Sequence, residues 1–97
     1  MSYIIYSTNE KVKLPPRGYF TKGDKGNDIL IISTFLACNF LGFEFKTKVK
    51  VENILGNYLG NNLISWIKEF QKCTGLVADG NIGSKTLAKL REYGLDG

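Results

Sequence analysis

Histidine is absent from this sequence of 97 residues. Imidazole is the usual general base, a common zinc ligand and the central group of Ser/His and Cys/His catalytic sets, so most hydrolase mechanisms lack a component here. The 9 acidic residues form no recognisable pair that would flank a cleft, as glycoside hydrolysis requires. We therefore expect a protein that is not an enzyme, with no catalytic residue, no metal site and no cofactor.

Cysteine is also scarce. Cys38 and Cys73 lie far apart in the chain and do not form a Cys-x-x-Cys pair. Each lies beside apolar residues at helical spacing, which favours two reduced thiols in the core. A disulfide between them is the alternative.

Long apolar runs and a targeting leader are missing as well. No run approaches the ~20 residues that span a bilayer, and Met1 to Tyr6 carry neither a basic start nor an apolar stretch of signal-peptide length. We expect no membrane partner, and synthesis in the cytoplasm without a signal peptide of the chain's own. The net charge of +4 favours anionic partners without selecting one.

The apolar content of 43% is enough for one compact core. Apolar residues recur at helical spacing over about 28–41, about 61–74 and from Ser84 onward, where Ser84 can serve as an N-cap. The sequence therefore predicts a mainly α fold, a three-helix bundle. Each predicted helix is followed by a glycine that can end it: Gly42, Gly75 and Gly94.

Residues 1–17 differ from the rest of the chain. They contain the apolar residues Tyr3 to Tyr6 and then Pro15 and Pro16, which interrupt regular structure. We expect a linker or N-terminal extension over 1–17 and one domain over 18–97.

Residues 43–52 alternate apolar and charged side chains, the two-residue period of a half-buried strand. We expect a short β element here, whose partner would be residues 3–6 or a second copy of the chain. Its polar face would carry Lys46, Lys48 and Lys50. These lysines fit an ordinary solvated face, and contact with an anionic polymer or a phosphate backbone is the alternative.

Two segments of the chain align without a gap: Leu55 to Ile64 and Ala78 to Leu87. The shared pattern predicts the same turn before the second and third helices, with positive φ at Asn57 and Gly80. Each turn then has an apolar residue and a small residue at the entry to its helix: Leu59 and Gly60 in the first turn, and Ile82 and Gly83 in the second. Asp79 can accept hydrogen bonds from backbone amides of its own turn.

Residues 70–90 read Phe-Gln-Lys-x-x-Gly-Leu-x-x-Asp-Gly-x-x-Gly-x-x-Thr-Leu-x-x-Leu. This series resembles the second half of the peptidoglycan-binding domain of phage endolysins and bacterial cell-wall hydrolases. Residues 22–29 are similar to the Gly-Asp-x-Gly-x-Asp-Val that opens that domain. The sequence departs from the family where Ile32-Ser33 replaces a Leu-Gln pair, where Gly56-Asn57 replaces an Asp-Gly turn, and in the longer segment 43–52.

The resemblance implies a shallow ligand groove bordered by the glycine turns and adjoining helices. It places Asn57, Tyr58, Asn61, Trp66, Asn81 and Lys85 near the ligand. Tyr58 could stack on a sugar or pack partly against the protein, and Trp66 lies on an apolar helix stripe typical of a core residue. The remaining motif residues are expected to shape turns and helix packing: Gln71, Asp79, Gly80, Gly83 and Thr86.

The resemblance further implies a non-catalytic module that targets an endolysin or autolysin to the wall. Its partners would be bacterial peptidoglycan or an associated wall polymer, and the catalytic domain of a parent hydrolase, so it would act at the cell wall. The abundance of Ile, Lys and Asn is typical of an AT-rich source such as a Gram-positive bacterium or its phage. The alternative is an interaction module that assembles the parent enzyme, with two copies pairing as a homodimer.

Nucleic acid is not expected as a partner. A platform for single-stranded nucleic acid needs aromatic residues and lysines on the same face. On the predicted strand, Phe43 and Phe45 lie on the face opposite the lysines.

Overall fold

Helices make up most of the secondary structure in the computed structural model, which describes residues 11–95. The helices are α1 (Asn27–Asn39), α2 (Phe43–Thr47), α3 (Asn61–Cys73) and α4 (Ser84–Glu92), with one 3-10 turn at Val51–Asn53. The prediction of a mainly α protein built as a small helical bundle is confirmed. None of the helices in residues 11–95 is long and apolar enough to cross a membrane.

The core forms where the three longer helices turn their apolar faces inward. Burial of these faces is the main source of stability for such short helices. The fully or almost fully buried residues include Ile29, Ile32 and Leu36 from α1, Leu63, Trp66, Ile67 and Phe70 from α3, and Leu87 and Leu90 from α4. The three predicted helices are therefore confirmed, with ends that differ by one or two residues.

Two of the predicted helix ends were wrong in detail. Gly42 does not end α1, which stops at Asn39; Gly42 instead precedes α2 with helical φ and ψ of −61° and −18°. Ser84 is the first residue of α4 and not its N-cap, because Gly83 occupies that position with extended backbone. Glycine fits where the chain turns tightly into the helix, and the cap of α4 makes no side-chain hydrogen bond.

The predicted strand at 43–52 was wrong. Phe43 to Thr47 form α2 and Val51 to Asn53 form the 3-10 turn. The N–H of Lys48 donates to the carbonyl of Glu44, and the N–H of Val51 donates to the Glu44 carboxylate at 2.7 Å. No neighbouring strand is available in residues 11–95 to take these groups, so local bonds satisfy the backbone instead.

The two-residue alternation in this segment therefore does not produce one buried face. Phe43 is buried and stacks on Phe40, with ring centroids 5.1 Å apart, whereas Phe45 is 80% exposed. The segment that connects α1 to α3 is fixed to α3 by Trp66, whose Nε1 donates to the carbonyl of Val49 at 3.0 Å. Pairing of two chains through a 43–52 strand loses its structural basis, and residues 3–6 lie outside the described part of the chain.

Both cysteines were expected in the core, and this was wrong, because Cys38 and Cys73 are exposed and are not joined in a disulfide. Sγ of Cys73 donates to a carboxylate oxygen of Glu69 at 3.3 Å. Partial loss of solvent around the sulfur raises the pKa of Cys73, and the hydrogen bond to Glu69 and its negative charge raise it further.

Candidate functional site

Two turns of similar geometry lead into α3 and α4. We call residues 56–60 the first glycine turn and residues 79–83 the second glycine turn. Each ends in a glycine with extended backbone, with φ and ψ of −104° and −174° at Gly60 and −95° and −166° at Gly83. The apolar residue before each glycine, Leu59 or Ile82, is fully buried. The alignment of the two segments thus corresponds to a repeated structure.

In both glycine turns, the residue with positive φ is a glycine. Gly80 has the predicted positive φ of 80°, but the prediction for Asn57 was wrong, since the positive φ of 136° lies at Gly56. Among residues 11–95, Lys48 is the non-glycine residue with positive φ. Glycine adopts this region at little cost, whereas Asn merely tolerates it, so the neighbouring Gly56 takes the strained position.

A buried polar side chain fixes the second glycine turn to α3. Gln71 is 1% exposed, and its Oε1 accepts from the N–H of Gly80 at 2.9 Å. Its Nε2 lies 2.8 Å from the carbonyl oxygen of Asn81 and 3.0 Å from Oγ1 of Thr86. Oδ1 of Asp79 accepts from the N–H of Asn81 at 2.9 Å, as expected for a turn residue. These bonds satisfy the buried amide and hold the turn in one conformation.

Ser33 fixes the first glycine turn in the same way from α1. Its hydroxyl is fully buried, donates to the carbonyl of Gly56 at 2.9 Å and accepts from the N–H of Gly56 at 3.2 Å. The replacement of the family's Leu-Gln pair by Ile32-Ser33 therefore keeps a polar contact between helix and turn. The shorter side chain contacts a single residue of the turn.

Residues 17–26, which we call the bridging segment, pair with both glycine turns. Phe20 and Ile82 exchange two backbone hydrogen bonds, of 3.0 and 2.9 Å. Further along, the N–H of Gly26 donates to the carbonyl of Asn57, and the N–H of Leu59 donates to the carbonyl of Asp24, both at 2.8 Å. One continuous segment therefore positions the two turns relative to each other.

The bridging segment is held by a charged contact. The guanidinium of Arg17 pairs with Asp24 and also donates to the carbonyl of Tyr19 at 3.0 Å. A hydrogen bond from the N–H of Thr21 lowers the pKa of Asp24; burial acts in the opposite direction, and Arg17 lowers it further. Thr21 also reaches the second glycine turn, where its hydroxyl donates to Oδ1 of Asn81 at 2.7 Å.

A groove of about 590 Å³ lies between the bridging segment and the second glycine turn. Its residues come from these two elements, from the loop after α3 and from the start of α4. The lining residues are Gly18, Tyr19, Thr21, Gln71, Leu76, Val77, Asp79, Asn81, Gly83, Ser84, Lys85 and Thr86. The groove thus combines polar, charged and apolar groups on one surface.

A family model described as "Putative peptidoglycan binding domain" matches residues 39–90, more than half of the chain. The chain belongs to this family. Comparison with curated proteins and with solved structures gave no match. The family match of this peptidoglycan-binding domain begins at the last residue of α1 and includes both glycine turns. The bridging segment and nearly all of α1 lie before it, although their contacts hold both turns.

The predicted binding residues of the peptidoglycan-binding domain fall into three groups. Asn81 and Lys85 line the groove of the second glycine turn. Asn57, Tyr58 and Asn61 lie in or beside the first glycine turn, and they do not line that groove. Trp66 is fully buried against Phe43, so it packs the core and presents no surface to a ligand.

The motif residues lie in the second glycine turn and in the helices on either side of it. Gln71, Asp79 and Thr86 belong to the hydrogen-bond network described above, and Gly80 and Gly83 shape the second glycine turn. All of them except Gly80 also line the groove.

Sequence reasoning missed several groove residues of the peptidoglycan-binding domain. Tyr19 lies just before the opening motif, and Leu76 and Val77 follow α3 in a loop without periodicity. Leu76 belongs to the Gly-Leu motif, but Tyr19 and Val77 belong to no motif. No local pattern predicts that these residues line a groove, because the groove forms only when the bridging segment pairs with Ile82 across the chain. A valine beside a Gly-Leu motif was the one available signal.

Proposed function

We propose that this chain is a non-catalytic module that holds a cell-wall lytic enzyme, an endolysin or autolysin, on peptidoglycan. Membership of the peptidoglycan-binding family carries the proposal. It is supported by two rigidly held glycine turns and a groove with polar and apolar lining. The hydrogen-bonding, charged and apolar groups in the groove are suited to binding.

The proposed contact surface includes both glycine turns. At the second turn, Asn81 and Lys85 face the ligand from the groove. At the first turn, Asn57 and Asn61 provide amides and Tyr58, which is 55% exposed, provides an aromatic surface. Tethering of a catalytic domain to such a surface would raise its effective concentration at the wall. Loss of binding should then reduce lysis of walls while leaving turnover of soluble fragments unchanged.

Sedimentation with purified Gram-positive cell walls tests this function. We expect the chain to pellet with walls after teichoic acid has been stripped and to keep part of that retention at high salt. Hydrogen bonds and packing persist in salt, whereas the charge of Lys85 is screened. Tyr58→Ala and Asn81→Ala should each weaken retention about tenfold. Phe45→Ala, which removes a more exposed aromatic side chain from α2, is the matched control and should leave retention unchanged.

Other results of the sedimentation experiment would indicate a different contact surface or no wall binding. If retention is lost when teichoic acid is stripped or when salt is added, the contact with the wall would be assigned instead to three lysines in and after α2: Lys46, Lys48 and Lys50. An absence of retention under all conditions would contradict wall binding. Light scattering on the same samples would then show whether the chain assembles, as the interaction-module alternative requires.

A further inference from the structure

We propose that the groove of the second glycine turn binds the peptide stem of peptidoglycan and not its glycan strand. The stem is a short peptide with free carboxylates, a diamino acid that carries a free amine, and several alanine methyl groups. This inference rests on the proposed wall-binding function and specifies which part of the polymer the groove recognises.

The groove presents unpaired charges of both signs. Asp79 and Lys85 line it, both are exposed, and neither takes part in the ion pairs found within residues 11–95, which are Arg17–Asp24 and Lys89–Glu92. Oδ1 of Asp79 is used by the turn, which leaves its Oδ2 to accept from a ligand. A ligand with both an ammonium and a carboxylate matches this pair, whereas an uncharged sugar does not.

Apolar surface in the groove fits small side chains. Val77 is 80% exposed and Leu76 is half-buried, and both line the groove beside Asp79. An exposed branched side chain of this kind loses water when it is covered by methyl groups, which favours binding. The alanines of a peptide stem supply such methyl groups.

The aromatic group in the groove is poorly placed to stack on a sugar. Tyr19 is the aromatic residue among those that line the groove, and the guanidinium of Arg17 lies over its ring, 5.5 Å from the centroid. Arg17 is held there by Asp24 and by the carbonyl of Tyr19. One face of the ring is therefore already covered, and a sugar platform requires an open face.

Binding measurements with three probes from one wall preparation test the inference. The probes are intact sacculi, stem peptides released by an amidase, and glycan strands stripped of their stems. Calorimetric titration of the full chain should show binding to the first two probes and at least tenfold weaker binding to the stripped glycan.

Paired changes in protein and peptide locate the contact. Lys85→Gln should weaken stem binding about tenfold, and amidation of the stem carboxylates should weaken binding of the wild-type chain similarly. The two changes together should cost no more than either alone, because each removes the same interaction. Asp79→Asn keeps the Oδ1 acceptor but removes the negative charge, so it should weaken stem binding. Acetylation of the stem amine should weaken binding of the wild-type chain similarly, and the two changes together should again cost no more than either alone.

The matched control is Lys72→Gln, which removes the same charge from an exposed lysine outside the groove and should change affinity less than twofold. Equal effects of Lys85→Gln and Lys72→Gln would overturn the assignment to this groove. Binding to sacculi and stripped glycan without binding to the stem would overturn this inference and leave the wall-binding function intact. Failure to bind intact sacculi would overturn both.

Discussion

At the scale of single residues, a buried polar side chain on a helix fixes each glycine turn. Gln71 and Ser33 differ in length, yet each contacts the backbone of one turn as both donor and acceptor. A buried polar group that lost its partner would cost about 1–3 kcal/mol, so these contacts define one turn conformation. Gln71 therefore fixes the second glycine turn and also lines the groove that this turn borders.

Asp24 gives a prediction for the dependence of stability on pH. The folded state lowers the pKa of Asp24, chiefly through the Thr21 N–H, so the unfolded chain binds a proton at this site more readily. The resulting stabilisation is present above the ordinary carboxyl pKa of 3.8 and is lost as the pH falls through the lower folded value. Asp24→Asn should cost about 1 kcal/mol at pH 7.

Urea unfolding of both proteins between pH 7 and about pH 2 would check this prediction. The difference in the free energy of unfolding should stay constant down to about pH 5 and shrink below it. A difference that remained unchanged across this range would mean that Asp24 does not contribute through its charge.

At the scale of elements, the connection between α1 and α3 shows how tertiary context changed a local pattern. Its alternating residues predicted a strand, but Thr47 and Glu44 bond to nearby backbone groups and Phe43 joins an aromatic cluster with Phe40 and Trp66. A strand needs a second strand to satisfy its backbone, and a short helix does not. The spacing of hydrophobic residues alone does not show whether a second strand is present to pair with the first.

The second glycine turn gives a prediction about backbone conformation. Gly80 has a φ of 80°, and a Cβ added there would lie 2.8 Å from Cγ2 of Ile64. Gly80→Ala should therefore lower the free energy of unfolding by about 2–4 kcal/mol, through both the disfavoured backbone and the contact with α3. Thermal or urea unfolding followed by circular dichroism would measure the change.

Two other glycines separate these two causes. Gly23 has a φ of 97° with nothing within 4 Å of an added Cβ, so Gly23→Ala should show the backbone cost alone, about 1–2 kcal/mol. Gly42 has a helical φ of −61° and open space, so Gly42→Ala should change stability by less than about 1 kcal/mol. Equal costs at all three positions would contradict the role assigned to Gly80.

At the scale of the whole molecule, the folded unit includes residues that were expected to belong to a linker. Val12 is fully buried and Leu14 packs against the core. The carbonyl of Val12 accepts from the guanidinium of Arg91 at 2.6 Å. We propose that the domain includes Val12 and does not begin at residue 18, because burial of this kind stabilises the fold whereas a linker makes no such contacts.

Paired substitutions in the full chain test this boundary. Replacing Val12 and Leu14 by Ser should lower the free energy of unfolding by about 3 kcal/mol or more, because it leaves a cavity in the core. Replacing Lys11 and Lys13 by Ser changes the exposed residues that alternate with them and should cost less than about 0.5 kcal/mol. Small and equal effects in a denaturation experiment would indicate that the segment behaves as a linker.

The sequence by itself determined the three longer helices and the repeated turn, because helical periodicity and glycine positions are local properties. The Gln-x-x-x-Gly-Leu-x-x-Asp-Gly series is likewise local, and it is enough to indicate the family. Tertiary structure alone decided that residues 43–47 are helical, that Phe45 is exposed and that Tyr19 lines the groove with Asn81 and Lys85. These outcomes depend on contacts between residues far apart in the chain, such as Phe20 with Ile82 and Trp66 with Val49, which no local pattern contains.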